Sequence, residues 1–198
     1  MRRTTVIASA LLLVTATVAM PAPGKEIRRD VVGRFSARSV EMTSPARMAF
    51  RRVEIVINQW STDQDHRLLA RTVLEKGPVA FLDVLCGYPA VGSIAVAGNR
   101  DIAIRYAWQV ADRDGGQRIF LATDEPISLR SSEFRKFPDA EPLTFIELRL
   151  NARGDGVGKL SDAMRLSVDE SRNVIEMRDF DRRQLHLVMV HDELHLYD

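Results

Sequence analysis

The chain has 198 residues, of which 45% are hydrophobic and 28% are charged, and its formal net charge at pH 7 is +1. This composition is that of an ordinary soluble globular protein, and the length fits one domain. A nearly neutral chain without an aromatic and basic platform excludes nucleic acid as the expected partner. The single cysteine, Cys86, excludes an internal disulfide, and its position at the end of a predicted helix indicates a small buried hydrophobe.

The first 19 residues have the pattern of a secretory signal peptide. A short basic stretch, MRRTT, precedes the apolar run VIASALLLVTATVA, and the small residues Thr17 and Ala19 stand before a cleavage position. Cleavage there predicts an exported protein, periplasmic or secreted, of 198 − 19 = 179 residues. No later run approaches the ~20 apolar residues of a membrane-spanning helix. An uncleaved signal anchor is the alternative.

Residues 20–36 are predicted to be a flexible basic leader. The segment Lys25–Arg52 carries eight basic residues against three acidic ones. Such a segment could dock on an anionic surface of the cell envelope. The alternative interpretation is a solvated strand edge, where like charges discourage pairing with other strands.

A pair of helices is predicted after the second strand. Alternating Val53, Ile55 and Ile57 indicate that the preceding segment is a half-buried strand. The segment STDQDHRLLARTVLEKGP then predicts a helix near 62–76, with Ser61 as N-cap and a stop at Gly77. A second short helix is predicted near 78–86, because Pro78 suits a first helical turn.

Beyond Gly92 the pattern is that of strands joined by short turns. The strongest strand, DIAIRYAWQVAD, is expected to place Ile102, Ile104, Tyr106, Trp108 and Val110 on one face. Residues 127–142 are rich in Pro, Ser and mixed charges and predict a long loop. We therefore expect an α+β fold, mostly antiparallel β, with eight or nine strands in a curled sheet, barrel or sandwich over residues 37–198.

The stretch LNARGDGVGKLSDA resembles a calcium loop only loosely. Arg153 stands where an oxygen ligand is needed, and strands rather than helices flank the stretch. Gly154 and Gly156 instead predict a hairpin tip, and Gly158 predicts a bulge or a close backbone approach.

Three aromatic residues, Trp60, Tyr106 and Trp108, are candidates for a ligand pocket in the curled sheet. A small apolar ligand or an envelope protein is the partner that such a pocket suits. The competing interpretation is that aromatic residues on an alternating strand face simply belong to the core.

The C-terminal histidines are candidates for a metal site. His191, Glu193 and His195 occupy alternate positions and would share one face of a strand, where they could bind Zn²⁺ or Cu²⁺. The alternative is a polar, frayed terminus. No cofactor-binding motif is present, so no cofactor is expected.

An acid–base site is the enzymatic alternative. Asp63, Asp65 and His66 lie together at the predicted helix start and could supply a general base for a hydrolase acting on envelope material. Helix capping explains both aspartates without catalysis. No nucleophile elbow or metalloprotease motif is present, and no catalytic residue is assigned.

The chain resembles a family of small exported bacterial proteins with no assigned activity. The motifs that carry the resemblance are WSTD, VGSI, YA at Tyr106, RIFLATDEPI, PLTFIELRLNARGDGVGKLSDA and IEMRDF, and the resemblance extends over nearly all of the chain after residue 19. Val157 departs from the pattern, which has an acid at that position. The resemblance implies an exported single domain. With the residue patterns, it leads us to expect a non-enzymatic binding or accessory domain.

Overall fold

The computed structural model describes residues 30–44, 47–97, 100–127, 143–162, 165–169, 174–178 and 184–195. The predicted signal peptide, most of the leader and residues 128–142 of the predicted loop lie outside these ranges. The elements, in chain order, are β1 (Gly33–Ser44), β2 (Arg47–Ile57), α1 (Asp63–Cys86), β3 (Gly92–Val96), β4 (Ile102–Ile104), β5 (Tyr106–Ala111), β6 (Gln117–Thr123), β7 (Thr144–Leu150), β8 (Asp155–Asp162), β9 (Arg165–Asp169), β10 (Val174–Arg178) and β11 (Gln184–Asp192).

Nine of the strands form one antiparallel sheet that nearly closes into a barrel. Its order is β4-β3-β2-β1-β11-β8-β7-β6-β5, so the two outermost strands are neighbours in the chain. Only Arg105 separates β4, which pairs with β3, from β5, which pairs with β6. The Arg105 N–H donates to the Ala122 carbonyl oxygen on β6 at 2.9 Å. The predicted antiparallel fold is confirmed, and the barrel is the form that the curled sheet takes.

The barrel interior is filled by aliphatic side chains from every one of these strands. On β2, β6 and β7 the alternate residues point inward and are almost completely buried, as the sequence pattern predicts. Full burial of each such side chain stabilises the fold by about 1.5–3 kcal/mol. The largest fully buried members are Phe35, Ile55, Ile57, Ile94, Ile104, Ile119, Leu121, Ile146 and Leu148.

At Arg105, between β4 and β5, the alternation of inward-pointing and outward-pointing side chains changes phase. Ile104 and Ala107 are both buried in the interior cluster, although they are three positions apart. Tyr106 consequently belongs to a second cluster outside the barrel, with Leu69 and Leu85 of α1. The prediction that Ile102 through Val110 share one face is therefore wrong, because the alternation changes phase at Arg105.

Glycines on β8 allow close packing against β7. A Cβ atom at Gly156 would overlap the Arg149 carbonyl oxygen, and one at Gly158 would lie 2.8 Å from the Glu147 carbonyl oxygen. The close approach predicted at Gly158 is confirmed, but the bulge is on β11, where Met189 has φ 52°. The hairpin tip is confirmed at Gly154, which has φ 78° and donates to the Asn151 carbonyl oxygen.

The predicted pair of helices is wrong, since the described residues contain one helix. Gly77 leaves the helical conformation with φ 82°, but helical structure resumes at once at Pro78, so the result is a kink rather than a break. The predicted N-cap is also one residue early. Thr62 caps α1, and its side chain and Asp65 form a reciprocal capping box.

Three smaller expectations also change. The leader predicted over 20–36 extends too far along the chain. β1 begins at Gly33, and its first residues pair with β2 and β11. The sequence KLSDAMRLSVD predicts one strand from Lys159 to Asp169, but these residues contribute to two strands, β8 and β9, and the β9–β10 pair lies next to α1. The Cys86 side chain is exposed, not buried.

Replacing Gly156 by alanine tests the close approach of β7 and β8. We expect Gly156→Ala to lower the free energy of unfolding by about 1–3 kcal/mol, because the new methyl group displaces the β7 backbone. Urea denaturation measures this value. Gly87→Ala is the matched control: Gly87 has φ −74° and its added Cβ would meet nothing closer than 3.4 Å. Equal stability of the two variants would contradict the packing argument.

Replacing Arg105 tests the closure of the barrel. Its guanidinium pairs with Asp124 at 3.0 Å and donates to the Tyr88 carbonyl oxygen at 3.2 Å. We expect Arg105→Ala to lower the free energy of unfolding by about 2 kcal/mol, because Asp124 keeps a largely buried charge without its partner. Arg118→Ala, which removes an exposed pair with Asp112, should cost under about 1 kcal/mol in the same denaturation measurement.

Candidate functional site

The three aromatic residues predicted to line a pocket lie in two separate places. Trp60 packs against the interior cluster of the barrel, near Gly33 and Phe35. Tyr106 and Trp108 lie on the outer face of β5, in the cluster that α1 covers. The structure therefore does not assemble Trp60, Tyr106 and Trp108 into one pocket.

A row of stacked rings crosses the outer face of β5, β6 and β7. His66 of α1 stacks on Trp108 with ring centroids 4.1 Å apart and an angle of 9° between the planes. Trp108 and Phe120 follow at 6.0 Å, and Phe120 and Phe145 at 6.1 Å. All four rings are half-buried, and the row fixes the start of α1 on the barrel wall.

Hydrogen bonds occupy the polar groups at the start of α1. His66 Nδ1 and the Tyr106 hydroxyl are 2.7 Å apart. Hydrogen bonds from Thr62 lower the pKa of Asp65. Burial, reinforced by the negative charge of Asp65, raises the pKa of both Tyr88 and Tyr106. These groups hold the helix in place.

The predicted acid–base group does not converge on an open site. Asp65 is engaged in the capping box with Thr62, and His66 is held between Tyr106 and Trp108. Asp63 is exposed in the first turn of α1. This arrangement explains Asp63 and Asp65 by helix capping and the helix dipole.

The C-terminal residues predicted as metal ligands are also dispersed. β11 ends at Asp192, so the strand alternation does not extend to His195. His191 Nδ1 pairs with Asp155 at 2.8 Å, and the Glu193 N–H donates to the Arg34 carbonyl oxygen. Within the described ranges, no group of three His, Cys, Asp or Glu side chains is placed to hold a metal ion.

An open groove lies on the outside of β2, β1 and β11, on a part of the barrel wall away from the α1 cluster. We call it the arginine groove, and its volume is about 450 Å³. Arg38 of β1 stands at its centre, directly opposite Arg52 of β2 and Val188 of β11 in the strand register. Its lining residues are Ser36, Ala37, Arg38, Phe50, Arg51, Arg52, Met189 and His191.

The β11 bulge gives the groove one of its walls. The register between β1 and β11 shifts between Ser36 and Arg38, where Met189 is the extra residue. A positive φ is uncommon for a side chain as large as Met, and the bulge leaves Met189 69% exposed. Phe50 is 54% exposed on the other side. Two apolar side chains therefore flank a cationic centre.

The groove has an excess of positive charge. Arg52 pairs with Glu54 at 2.8 Å, and His191 pairs with Asp155. Arg38 forms no ion pair with any carboxylate of the described residues. The Arg38 and Arg52 side chains lie opposite each other on this face, and they favour an anionic ligand because guanidinium binds carboxylate and phosphate by paired hydrogen bonds.

A second cleft, of about 430 Å³, lies at one end of the barrel. Gln109, Gln117 and Asn151 supply neutral polar groups there, and His195 lies at its rim. It contains none of the arginines that make the groove chemically distinctive.

The sequence indicated the basic charge of the arginine groove but not its apolar wall at Met189. The charge imbalance of Lys25–Arg52 was visible, but it did not separate a binding groove from a solvated strand edge. The contribution of Met189 depends on the bulge in β11, and no local sequence signal marks that bulge.

Comparison of the chain with family models, curated proteins and solved structures found no match. The resemblance to small exported bacterial proteins therefore stays a prediction. No helix among the described residues combines the length and the apolar character needed to cross a membrane.

Tyr106 should make stability depend on alkaline pH. Its pKa is raised, so above about pH 10 the unfolded chain releases a proton that the folded chain retains. The free energy of unfolding should therefore be at its full value below about pH 10 and fall above it, by up to about 1.4 kcal/mol per pH unit for this group. Denaturation of Tyr106→Phe between pH 9 and 11 should show a smaller slope than the unmodified chain.

The same variant should lose about 1 kcal/mol at neutral pH, because the hydrogen bond to His66 is gone. An identical alkaline slope in Tyr106→Phe and the unmodified chain would show that Tyr106 does not ionise on unfolding.

Proposed function

We propose that this protein is an exported, non-enzymatic binding domain, and that the arginine groove binds a small ligand with an anionic head and an apolar tail. The observation that carries this proposal is the combination of the outward-facing Arg38 and Arg52 with exposed Phe50 and Met189 in one groove. The export part of the proposal comes from the sequence pattern of residues 1–19.

The packed interior supports a site on the outside of the barrel. Small barrels either fill their interior with side chains or enclose a ligand. Here the inward-facing residues of β2, β6 and β7 are at or near zero exposure. The sequence analysis predicted a pocket for a small apolar ligand within the curled sheet. A ligand inside the barrel would have to displace this core.

The groove chemistry favours an amphiphile over a purely apolar ligand. Burying an apolar molecule against Arg38 would desolvate a charge that has no ion-pair partner among the described residues, which is costly. A phosphate or carboxylate head satisfies that charge. An alkyl chain next to Phe50 and Met189 then removes apolar surface from water.

The hydrolase alternative has weaker support. The described residues hold no group of three His, Cys, Asp or Glu side chains placed for a metal ion, and Asp65 and His66 are both engaged in structural contacts. The arginine groove contains no carboxylate among its lining residues. Its groups suit binding of an anion rather than acid–base chemistry.

Binding of decyl phosphate below its micellar concentration tests the proposal. We expect Arg38→Gln to weaken binding about tenfold or more, because a charged hydrogen bond to the phosphate is lost. Phe50→Ser should weaken decyl phosphate binding while leaving binding of inorganic phosphate unchanged, because Phe50 contacts only the tail. Isothermal titration calorimetry measures both ligands.

Arg34→Gln is the matched control. Arg34 is an exposed arginine on the same face of β1, but it does not line the groove. Its replacement should leave the affinity for decyl phosphate within about twofold. Absence of decyl phosphate binding, or equal losses in Arg34→Gln and Arg38→Gln, would exclude the groove as the site.

A further inference from the structure

Resting on the proposed function, we propose that the outer face around the arginine groove docks on an anionic lipid bilayer, with the groove receiving one lipid head group. We call this surface the basic face. It is formed by the outward-pointing side chains of β2, β1, β11 and β8, which are neighbours in that order in the sheet.

Exposed apolar side chains are concentrated on the basic face. Val157 of β8 is 56% exposed and lies beside the β11 bulge that presents Met189, because Gly156 and Gly158 pair with Val190 and Leu187. Phe50 is exposed across the groove. These three residues are half of the six large hydrophobic side chains that are exposed in the described ranges. We call these three residues, which lie on β2, β11 and β8, the apolar line.

Positive charges surround this apolar line. Arg34, Arg38 and Arg52 point outward because they alternate with the buried Phe35, Ala37 and Val53. Lys159 of β8 also points outward, because it alternates with the buried Gly158 and Leu160. The described acids of this face, Glu54 and Asp155, pair with Arg52 and His191. The face therefore carries net positive charge.

The apolar line distinguishes a bilayer from a soluble polyanion. A charged polysaccharide would be bound by the arginines alone and would leave Phe50, Val157 and Met189 without a partner. An anionic bilayer offers phosphate groups at its surface and an apolar interior a few ångströms below. The arginines of the basic face would contact the phosphates, and the exposed apolar side chains would enter the apolar interior.

Sedimentation with lipid vesicles tests this inference on the full chain. We expect binding to vesicles with about 30% phosphatidylglycerol, little binding to phosphatidylcholine alone, and a loss of binding as salt rises. The discriminating variant is Val157→Asp, which lies outside the groove lining. It should weaken vesicle binding at least fivefold, because it places a charge where the bilayer interior begins, and leave decyl phosphate binding unchanged.

Val79→Asp is the matched control. Val79 is 68% exposed on α1, and α1 packs on the opposite part of the barrel wall, over the Tyr106 cluster. This variant should bind both vesicles and decyl phosphate like the unmodified chain. Because all variants share the same residues 1–29, any contribution of that segment to lipid binding cancels in the comparison.

The outcomes separate the two proposals. Binding of decyl phosphate without binding to anionic vesicles would overturn bilayer docking and leave the groove function intact. Equal vesicle binding by Val157→Asp and Val79→Asp would also overturn it. Binding to dextran sulfate as tight as to vesicles, and insensitive to Val157→Asp, would replace the bilayer by a soluble polyanion. If the protein bound neither decyl phosphate nor anionic vesicles, both proposals would be overturned.

Discussion

The fold depends on one strand that pairs on both of its sides with different parts of the chain. Residues 102–104 pair with β3, residues 106–111 pair with β6, and Arg105 joins the two halves. Its backbone N–H binds β6, and its guanidinium reaches Asp124 and the Tyr88 carbonyl. Because the sheet is nearly closed, its two edge strands, β4 and β5, are short neighbours in the chain, which limits the free ladder groups that another chain could pair with. The phase change at Arg105 also places Tyr106 outside, where it anchors α1.

A filled barrel confines recognition to its outer wall, and the wall has two distinct regions. One carries α1 on the ring row from His66 to Phe145, where the polar groups are engaged with one another. The other is the basic face, where Arg38 forms no ion pair among the described residues and a bulge exposes Met189. Binding there needs no change in the core, because the interior side chains of β1 and β2 point the opposite way.

The sequence predicted the strand-rich fold because alternation of apolar residues is a local signal that a half-buried sheet requires. Val53, Ile55 and Ile57 show this most plainly. The errors arose where the outcome depends on distant partners. Tyr106 and Trp108 looked like inward residues until the register with β6 fixed the phase at Arg105. Gly77 and Pro78 signalled a helix end, but the chain resumes helical structure without an intervening loop. The arginine groove needs β2, β1 and β11 side by side, and β11 is over a hundred residues from β2 in the sequence.

The position of β11 between β1 and β8 affects when the fold can form. β11 is the last strand of the described chain, and it pairs Phe35 with Asp192 on one side and Asp155 with His191 on the other. Until these residues have been synthesised, β1 and β8 face a gap, and the two halves of the sheet have only the strand around Arg105 in common. Contacts so far apart in sequence make folding slow and late. The barrel therefore cannot close until residues 184–192 have been synthesised.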